Sequence, residues 1–312
     1  MARVRKAVIP TAGWGTRHYP ASAAVPKEFF PLVDRDGITR PVIQNIIQEA
    51  VDSGIEQICI VIAPGQEKVY RQYFGPPDPH RIRALAGKDW AIRESQNIAE
   101  LGERLVFVEQ ATPEGFGHAV YQARKFVGDN PFLLMLGDHV YISDAKERCA
   151  RQIIEVYEQH TPAAVTGVQL TPASELHLFG VIAGEPIDPA AGVYRARCII
   201  EKPSAQQARQ SLVTPGLADG QYLAHFGLHV FSPEIFDSLK YLIANNQRER
   251  GEVQLTTAQE HLRRQTGNYL CKIVEGRRFD TGNPLGLLKT QIAHALQGIH
   301  RDESRAAFAA DE

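Results

Sequence analysis

Cysteine is scarce in this sequence, and the few cysteines present are far apart. Only four of the 312 residues are cysteine, namely Cys59, Cys149, Cys198 and Cys271. None forms the C-x-x-C pair of a sequence-local zinc site, and we expect all four to be reduced. Cys59 and Cys198 lie in strand-like runs, where a small buried hydrophobic side chain is expected. We therefore predict no zinc site built on neighbouring cysteines and no cysteine nucleophile.

The sequence also lacks an excess of charge of either sign. It has 34 lysine and arginine residues against 36 aspartate and glutamate residues, which gives a formal net charge of -2. Such a balanced chain has no broad attraction for nucleic acid or for acidic membrane surfaces, so we predict neither as a partner. Any anionic ligand must therefore be held by a local group of cations.

Long hydrophobic runs are missing as well. No segment approaches the ~20 apolar residues of a membrane-spanning helix. The first apolar stretch is cut short by Pro10 and Gly13, which is not typical of a signal peptide. Charged residues make up 22% of the chain and hydrophobic residues 44%, a composition that excludes intrinsic disorder and fibrous repeats. We predict a globular cytoplasmic protein.

Short apolar runs alternate with helical patterns in the first half of the chain. The strand-like runs are KAVIP, QICIVIA, RLVFVEQ and PFLLMLGD. Apolar residues recur at helical spacing from Val42 to Val51 between Pro41 and Gly54, and helices are also predicted over residues 116–126 and 145–159. This alternation predicts an α/β fold with a doubly wound, mainly parallel mixed sheet, which binds ligands at the carboxyl ends of its strands.

The second half is richer in strands. After about residue 161 the chain reads AAVTGVQL, FGVIAG, YRARCIIEKP and QYLAHFGLHVFSP, with helices near residues 254–265 and 284–296. No Ser/Gly linker or low-complexity run separates the halves. We therefore predict one continuous domain over residues 1–299 with a strand-rich extension. Residues 300–312 form an Ala-rich, charged tail, expected to be a frayed helix or a disordered end.

The loop after the first strand, AGWGTR followed by PKE, has the features of a phosphate site. It lacks the Lys-Ser/Thr pair of a P-loop, and His18 stands where a dinucleotide fingerprint needs its third glycine. What remains is a glycine-marked turn with Arg17 at its end and Lys27 after a proline. Two cations beside exposed backbone N–H groups suit a polyphosphate.

Acidic and basic residues also follow three later strands. Asp138 comes directly after LLMLG, Glu201 and Lys202 end the run RCII, and Asp280 lies in a turn before a helix. A carboxylate at such a place can hold a hard divalent cation, although each acid alone is more often a turn former or a helix cap. Their joint occurrence favours a metal-assisted phosphate chemistry.

Taken together, these segments resemble a known family. AGWGTR with PKE, then GFGHAV, LGDHV, FGVI, EKP, GEVQLTTA and FDTGNPLG, occur in the order found in bacterial UTP–glucose-1-phosphate uridylyltransferases, within the sugar-1-phosphate nucleotidyltransferases. The resemblance runs from about Lys6 to Ile299. It implies a Rossmann-like fold of the nucleotide-diphospho-sugar transferase type, with residues 1–160 binding nucleotide and residues 161–299 binding sugar. It also implies transfer of a uridylyl group from UTP to glucose 1-phosphate.

The resemblance assigns a role to individual residues of this chain. Arg17, Lys27 and Lys202 would be catalytic cations, Lys202 also holding the sugar phosphate. The expected nucleotide-binding residues are Ala12, Gly13, Gly15, Thr16, Gln110 and Gly115. Gly180 and Glu201 would contact the sugar, and Asp138 and Asp280 would bind Mg²⁺. For Glu201 a surface strand end is the alternative interpretation. For His118 we predict a structural hydrogen bond at a helix start, and acid–base catalysis is the alternative.

Three positions depart from the family pattern. Trp14 replaces a small or aliphatic residue, Ala23 replaces a lysine common in the uridylyl branch, and His139 stands where some relatives carry a second acid. The alternatives within enzymes are another nucleotide specificity, such as thymidylyl or guanylyl transfer. Because fold does not fix function, a non-catalytic sugar-nucleotide-binding regulator is a further alternative, which the presence of both acids and both lysines disfavours. Relatives form dimers or tetramers, so a homo-oligomer is expected.

Overall fold

The computed structural model describes residues 3–309. Thirteen strands are present in this part of the chain: β1 Lys6–Pro10, β2 Pro31–Val33, β3 Thr39–Pro41, β4 Gln57–Ile62, β5 Leu105–Glu109, β6 Phe132–Met135, β7 His139–Ser143, β8 Ala164–Pro172, β9 Gly180–Asp188, β10 Val193–Glu201, β11 Gln221–Phe231, β12 Tyr269–Ile273 and β13 Gly276–Asp280.

The same residues form thirteen α-helices and three short 3-10 helices. The α-helices are α1 Ala21–Ala24, α2 Val42–Asp52, α3 Glu67–Tyr73, α4 Pro79–Ala84, α5 Asp89–Gly102, α6 Phe116–Gln122, α7 Arg124–Val127, α8 Cys149–His160, α9 Ala205–Ser211, α10 Ile235–Ala244, α11 Leu255–Thr266, α12 Pro284–Ala295 and α13 Arg301–Ala309. The 3-10 helices are Thr16–His18, Lys27–Phe29 and Ala173–Leu178. None of the helices in residues 3–309 is both long and apolar enough to cross a membrane.

Nine strands form one mixed sheet in the order β5-β4-β1-β6-β11-β8-β12-β10-β9. From β5 to β6 all neighbours are parallel. Strand β11 is antiparallel to both β6 and β8, and β10 is antiparallel to both β12 and β9. The parallel half comes from the first part of the chain, whose strands are joined through helices. The predicted doubly wound α/β fold is therefore confirmed.

Both faces of the sheet are buried. Along β1, Ala7 and Ile9 belong to one hydrophobic cluster, which includes residues of α2 and α8, while Val8 belongs to another, which includes residues of α6, α10 and α11. In β4, Ile60 belongs to the first of these clusters and Cys59 to the second. Since successive side chains of a strand point to opposite faces, the near-continuous apolar runs of the sequence reflect helices on both sides.

The second half adds its own small core. Leu176, Val181, Leu212 and Tyr222 are among the buried residues of a third cluster, which joins β9 and β11 to α9 and a 3-10 helix. This cluster underlies the strand-rich extension predicted from the sequence. The structure does not test the predicted single domain over residues 1–299, which stays a prediction.

Several predicted element boundaries were wrong by a few residues. Helix α8 begins at Cys149, not at residue 145, because residues 144–148 turn after β7. The helix predicted over residues 116–126 is broken at Ala123 into α6 and α7. In the tail, residues 301–309 are helical, and residues 310–312 lie outside the described residues.

Candidate active site

Two cavities meet at the ends of β1, β6 and β10. The first, which we call the nucleotide half, has a volume of about 370 Å³ and is lined by residues of the loop after β1 together with Gln110 and Gly115. The second, the sugar half, has a volume of about 400 Å³ and is lined by Gly180, Glu201 and Lys202 among others. Asp138 lines both halves. One carboxylate therefore stands where the two cavities join.

The loop after β1 folds back on itself so that backbone lines the nucleotide half. Gly15 adopts a left-handed conformation (φ 61°), and a Cβ atom there would lie 3.3 Å from Cβ of Ser22 and 3.4 Å from Cβ of Lys27. Thr16 then begins a 3-10 helix that carries Arg17 to the wall of the sugar half. Gly15 is thus required both by backbone conformation and by close packing.

On the opposite wall, Gln110 and Gly115 lie in contact. The side-chain amide of Gln110 donates from Nε2 to the carbonyl of Gly115 (3.2 Å) and to Nδ1 of His118 (3.1 Å). A carbonyl oxygen can only accept, so this contact fixes the orientation of the amide. Both N–H groups of Gln110 are used inside the protein, and its Oε1 is left to accept a hydrogen bond. The predicted structural role of His118 agrees with this contact.

Lys27 and Asp138 form a close ion pair between the two walls. Lys27 Nζ lies 2.6 Å from Asp138 Oδ2 and 3.8 Å from Glu28 Oε1. Burial raises the pKa of Asp138, but nearby cations, Lys27 first, outweigh it and hold the pKa below its usual range. Burial lowers the pKa of Lys27, yet Asp138 and Glu28 outweigh this and raise it. Both groups are therefore charged at neutral pH.

The two predicted metal-binding acids are brought together by a two-stranded sheet. Strands β7 and β13 pair antiparallel, which sets Asp280 directly opposite His139, the residue after Asp138. Asp138, His139 and Asp280 each offer a ligand atom, and these atoms lie within 4.8 Å of one another. Thr281 donates from both its backbone N–H and its hydroxyl to the carbonyl of Asp138, at 2.8 Å each. These bonds fix the two acids relative to each other.

The cluster fits a hard divalent cation. Asp138 and Asp280 supply carboxylate oxygens, the ligands that Mg²⁺ prefers. A Cβ atom at Gly282 would collide with Oδ2 of Asp138 and lie 2.9 Å from Oδ1 of Asp280, so glycine keeps this space open. Burial lowers the pKa of the His139 imidazole to about 4, and its Nε2 lies 4.0 Å from Asp280 Oδ1. The imidazole is therefore neutral and adds no charge to the cluster.

In the sugar half, the strand ends of β9 and β10 carry the predicted residues. Glu201 Oε2 accepts a hydrogen bond from the hydroxyl of Thr256 (2.6 Å), and Lys202 Nζ lies 3.6 Å from Glu201 Oε1. The backbone N–H of Lys202 donates to the carbonyl of Phe179 beside Gly180. These contacts place an acceptor and a cation on the same wall as Gly180.

Similarity to known proteins shows the family of this chain. A model of the nucleotidyl transferase family matches residues 6–295. The chain belongs to this family. It is also 36% identical over 304 residues to UTP–glucose-1-phosphate uridylyltransferase 2 of Staphylococcus saprophyticus, covering 97% of this chain and 95% of the relative. The resemblance predicted from the sequence motifs is therefore confirmed, and the protein is a nucleotidyl transferase.

Solved structures share the fold over almost the whole chain. An apo UDP-glucose pyrophosphorylase superposes with a TM-score of 0.79 at 26% identity, covering 93% of this chain and 97% of that one. A UTP-bound UDP-glucose pyrophosphorylase from Acinetobacter baumannii gives a TM-score of 0.76 at 26% identity, covering 98% and 99%. These similarities confirm the predicted fold type.

Sequence reasoning missed several residues of this nucleotidyl transferase that line the sugar half. Thr256 lies within GEVQLTTA, a motif that indicates the family but assigns no role to this threonine. His225 and Arg278 lie in β11 and β13, and Arg278 Nη1 donates to the carbonyl of His225 (3.0 Å). The guanidinium of Arg278 also stacks on Phe179, 4.4 Å from the ring centroid. A single histidine or arginine within a strand run gives no sequence signal of such a role.

The departures from the family pattern occupy different surroundings in this transferase. Ala23 is exposed on the short helix α1 and lines neither half of the site. The alanine therefore stands outside the walls of both cavities. Trp14 lines the nucleotide half and is 71% exposed. His139 keeps its place beside Asp138 in the acid cluster. Of the three, Trp14 and His139 bear directly on the site.

Proposed function

We propose that this nucleotidyl transferase transfers a uridylyl group from UTP to glucose 1-phosphate, giving UDP-glucose and pyrophosphate. The observation that carries the proposal is the position of Asp138, which lines both halves of the site beside Lys27 and near Asp280. A reaction between two bound phosphates needs acids and cations where the two substrates meet. The names of the staphylococcal relative and of the UTP-bound neighbour support this choice of substrates.

The chemistry is an in-line displacement. A phosphate oxygen of glucose 1-phosphate forms a bond to the α-phosphorus of UTP, the bond from that phosphorus to the bridging oxygen breaks, and pyrophosphate leaves. Two unit charges ~4 Å apart repel by about 4 kcal/mol at an effective dielectric of 20, and each partner here carries more than one charge. The main task of the site is therefore to offset repulsion and to orient the two phosphates.

Three cations supply that offset in this assignment. Arg17 and the backbone of Gly13 and Gly15 receive the β- and γ-phosphates, with Ala12 and Thr16 beside them in the same loop. Lys27 stabilises charge at the transferring phosphate, and Lys202 holds the phosphate of the sugar. Lys27 lines the nucleotide half and Lys202 lines the sugar half. Arg17 lines the sugar half together with Asp138, the residue that is common to both halves. No protein nucleophile takes part.

Asp138 and Asp280 are the residues that would hold Mg²⁺, which when bound neutralises the nucleotide phosphates. Their own contribution is a fixed pair of carboxylates, ordered by Thr281, with the space at Gly282 left free. Lys27 keeps the carboxylate of Asp138 ionised through its 2.6 Å contact. The acids are thereby held in the charged form that binds a divalent cation.

Recognition of the two substrates is assigned to neutral and acidic groups. The free Oε1 of Gln110 accepts from the N3–H of uracil, which cytosine lacks. On the other side, Glu201 accepts hydrogen bonds from sugar hydroxyls, with Gly180 beside it.

We also propose that the enzyme works as a homodimer or homotetramer in the cytoplasm. Light scattering of the purified protein tests the oligomeric state.

Product identification tests the proposed reaction. Purified protein is incubated with UTP, glucose 1-phosphate and Mg²⁺, and UDP-glucose and pyrophosphate are quantified separately. Equal amounts of the two products support uridylyl transfer. Tight binding of UDP-glucose without pyrophosphate release would instead favour the non-catalytic regulator, and turnover with dTTP or GTP in place of UTP would favour another branch of the family.

A further inference from the structure

We propose that Trp14 is a binding residue that packs against the nucleoside of bound UTP and closes the nucleotide half, an inference that rests on the proposed function. The side chain of Trp14 is 71% exposed, the second-largest exposed fraction among the large hydrophobic residues described, yet it lines this cavity. An indole at the mouth of a cleft is a large apolar surface that a flat ligand can cover.

The other walls of the nucleotide half leave one face of a base without an aromatic partner. Among the described residues that line this half, only Trp14 and Phe116 are aromatic. Phe116 already packs against the hydrophobic cluster that includes α6 and α10. Trp14 belongs to no such cluster. Its ring is therefore the aromatic surface that remains for the ligand.

The loop gives the indole freedom to move toward a ligand. Trp14 lies between Gly13 and Gly15, and a Cβ atom at Gly13 would have no neighbour within 4 Å. Two flanking glycines and open space on one side allow the ring to settle on whatever enters the cavity. Gln110 stands on the opposite wall of the same half and reads the edge of the base, whereas Trp14 covers a face.

Because Trp14 contacts a face of the base and Gln110 contacts its edge, replacing Trp14 should change affinity without changing base preference. Stacking on an aromatic ring tolerates any base because each has a flat face, while hydrogen bonds to the edge discriminate. Replacement of Trp14 should therefore weaken the binding of all nucleotides by the same factor, about five- to hundredfold for the loss of one stacked base. The ratio of activity with UTP to activity with CTP should stay the same in Trp14→Leu. In Trp14→Phe most of the affinity should return.

The chain offers a direct optical test, because it has only two tryptophans. Trp90 lines a different cavity, which shares no lining residue with either half of the site. In Trp90→Phe, therefore, all tryptophan emission comes from Trp14. This variant should keep the turnover of the natural protein, and circular dichroism checks that it is folded.

Trp90→Phe is titrated with UTP, with UMP and with pyrophosphate, while binding is measured in parallel by calorimetry. We expect UTP and UMP to change the emission of Trp14 and to shield it from acrylamide quenching, and pyrophosphate to do neither. Calorimetric binding of UTP with unchanged emission and unchanged quenching would overturn the assignment of Trp14 alone. Trp14→Leu with natural affinity for UTP would overturn it too. If neither the natural protein nor Trp90→Phe binds UTP or forms UDP-glucose, the result contradicts the proposed function together with the assignment of Trp14.

Discussion

Lys27 Nζ lies 2.6 Å from Asp138 Oδ2, which joins the loop after β1 to the residue that follows β6 at the point where the two halves of the site meet. Neither side chain is more than 17% exposed. A paired charge of this kind is held in place by its partner, so each group is oriented before substrate arrives. The contact also means that a divalent cation at Asp138 shares that carboxylate with an ammonium group.

Asp138→Asn should lower turnover by roughly a hundredfold or more while the fold stays intact, because a neutral amide is a far weaker ligand for Mg²⁺. The measurement is pyrophosphate release at saturating substrates, with circular dichroism as the check on folding. Asp144→Asn is the matched control, since Asp144 is 59% exposed and lines neither half of the site. If the folded Asp138→Asn variant turns over at a near-natural rate at ordinary Mg²⁺ concentration, Asp138 is not a metal ligand.

Lys202→Ala should raise the KM for glucose 1-phosphate by about ten- to hundredfold, the cost of losing one charge-assisted hydrogen bond, with little change in the affinity for UTP. The reason is its place on the wall of the sugar half, 3.6 Å from Glu201. Calorimetry with each substrate separates the two effects. Lys240→Ala, on the exposed side of α10, is the control. Equal loss of both affinities would assign Lys202 to the nucleotide or to the fold.

Gln110→Ala should reduce the preference for UTP over CTP. In the natural protein both N–H groups of Gln110 are engaged by Gly115 and His118, which leaves Oε1 as the group of this amide that can accept a hydrogen bond. This acceptor can bond to the N3–H of uracil, whereas N3 of cytosine carries no hydrogen and leaves the acceptor unpaired. The binding free energies should therefore differ by ~1–3 kcal/mol, or roughly 5- to 150-fold. The check is the ratio of kcat/KM for the two nucleotides. An unchanged ratio in the variant would show that another group reads the base.

Glu28 should make the protein less stable as the pH rises from about 4.5 to 7. Burial raises the pKa of its carboxyl from 4.5 to about 7, against the opposing effect of Lys27. Between these values the folded protein holds a proton that the unfolded chain has lost, so the contribution of Glu28 to stability falls with rising pH, by at most about 1.4 kcal/mol per pH unit. Urea unfolding of the natural protein and of Glu28→Gln at pH 5, 6, 7 and 8 isolates this contribution as the difference between the two pH profiles, because other buried groups, such as Glu49 and His139, are present in both proteins.

The stability of Glu28→Gln relative to the natural protein should rise between pH 5 and pH 7, because glutamine has no proton to lose and so lacks the contribution of Glu28. Glu56→Gln is the control, since Glu56 is 55% exposed in a surface pair with Arg5 and should leave the slope unchanged. If the natural protein and Glu28→Gln lose stability equally between pH 5 and pH 7, the buried carboxyl of Glu28 is not the group that titrates there.

The parallel half of the fold could be predicted because its signals are local. The apolar runs of β1, β4 and β6 are buried on both faces, and α2 shows one apolar side at helical spacing. Such patterns follow directly from burial and need no knowledge of distant contacts. The predicted start of α8 was wrong because residues 144–148 are held in a turn. Ser143 contributes local hydrogen bonds to this turn, but the bond from the Asp144 N–H to the carbonyl of Glu275 comes from a distant part of the chain and leaves no local pattern.

The sequence predicts the candidate site as a set of residues but not as a geometry. Asp138 and Asp280 are far apart in sequence, and the short ladder between β7 and β13 that aligns them has no signature of its own. The resemblance predicts that Gly180 contacts the sugar, yet a Cβ atom there would lie 2.7 Å from Nδ1 of His225, so internal packing already requires glycine. The engaged amide of Gln110 is likewise visible only in three dimensions.

The most direct test of the proposed reaction is a matrix of nucleoside triphosphates against sugar 1-phosphates with Mg²⁺, scored by pyrophosphate release at equal concentrations. With glucose 1-phosphate we expect UTP to give the highest rate and dTTP the next, because thymine presents the same hydrogen-bonding edge to Gln110. ATP, CTP and GTP should be slower. Faster transfer from GTP or ATP than from UTP would contradict the uridylyl assignment.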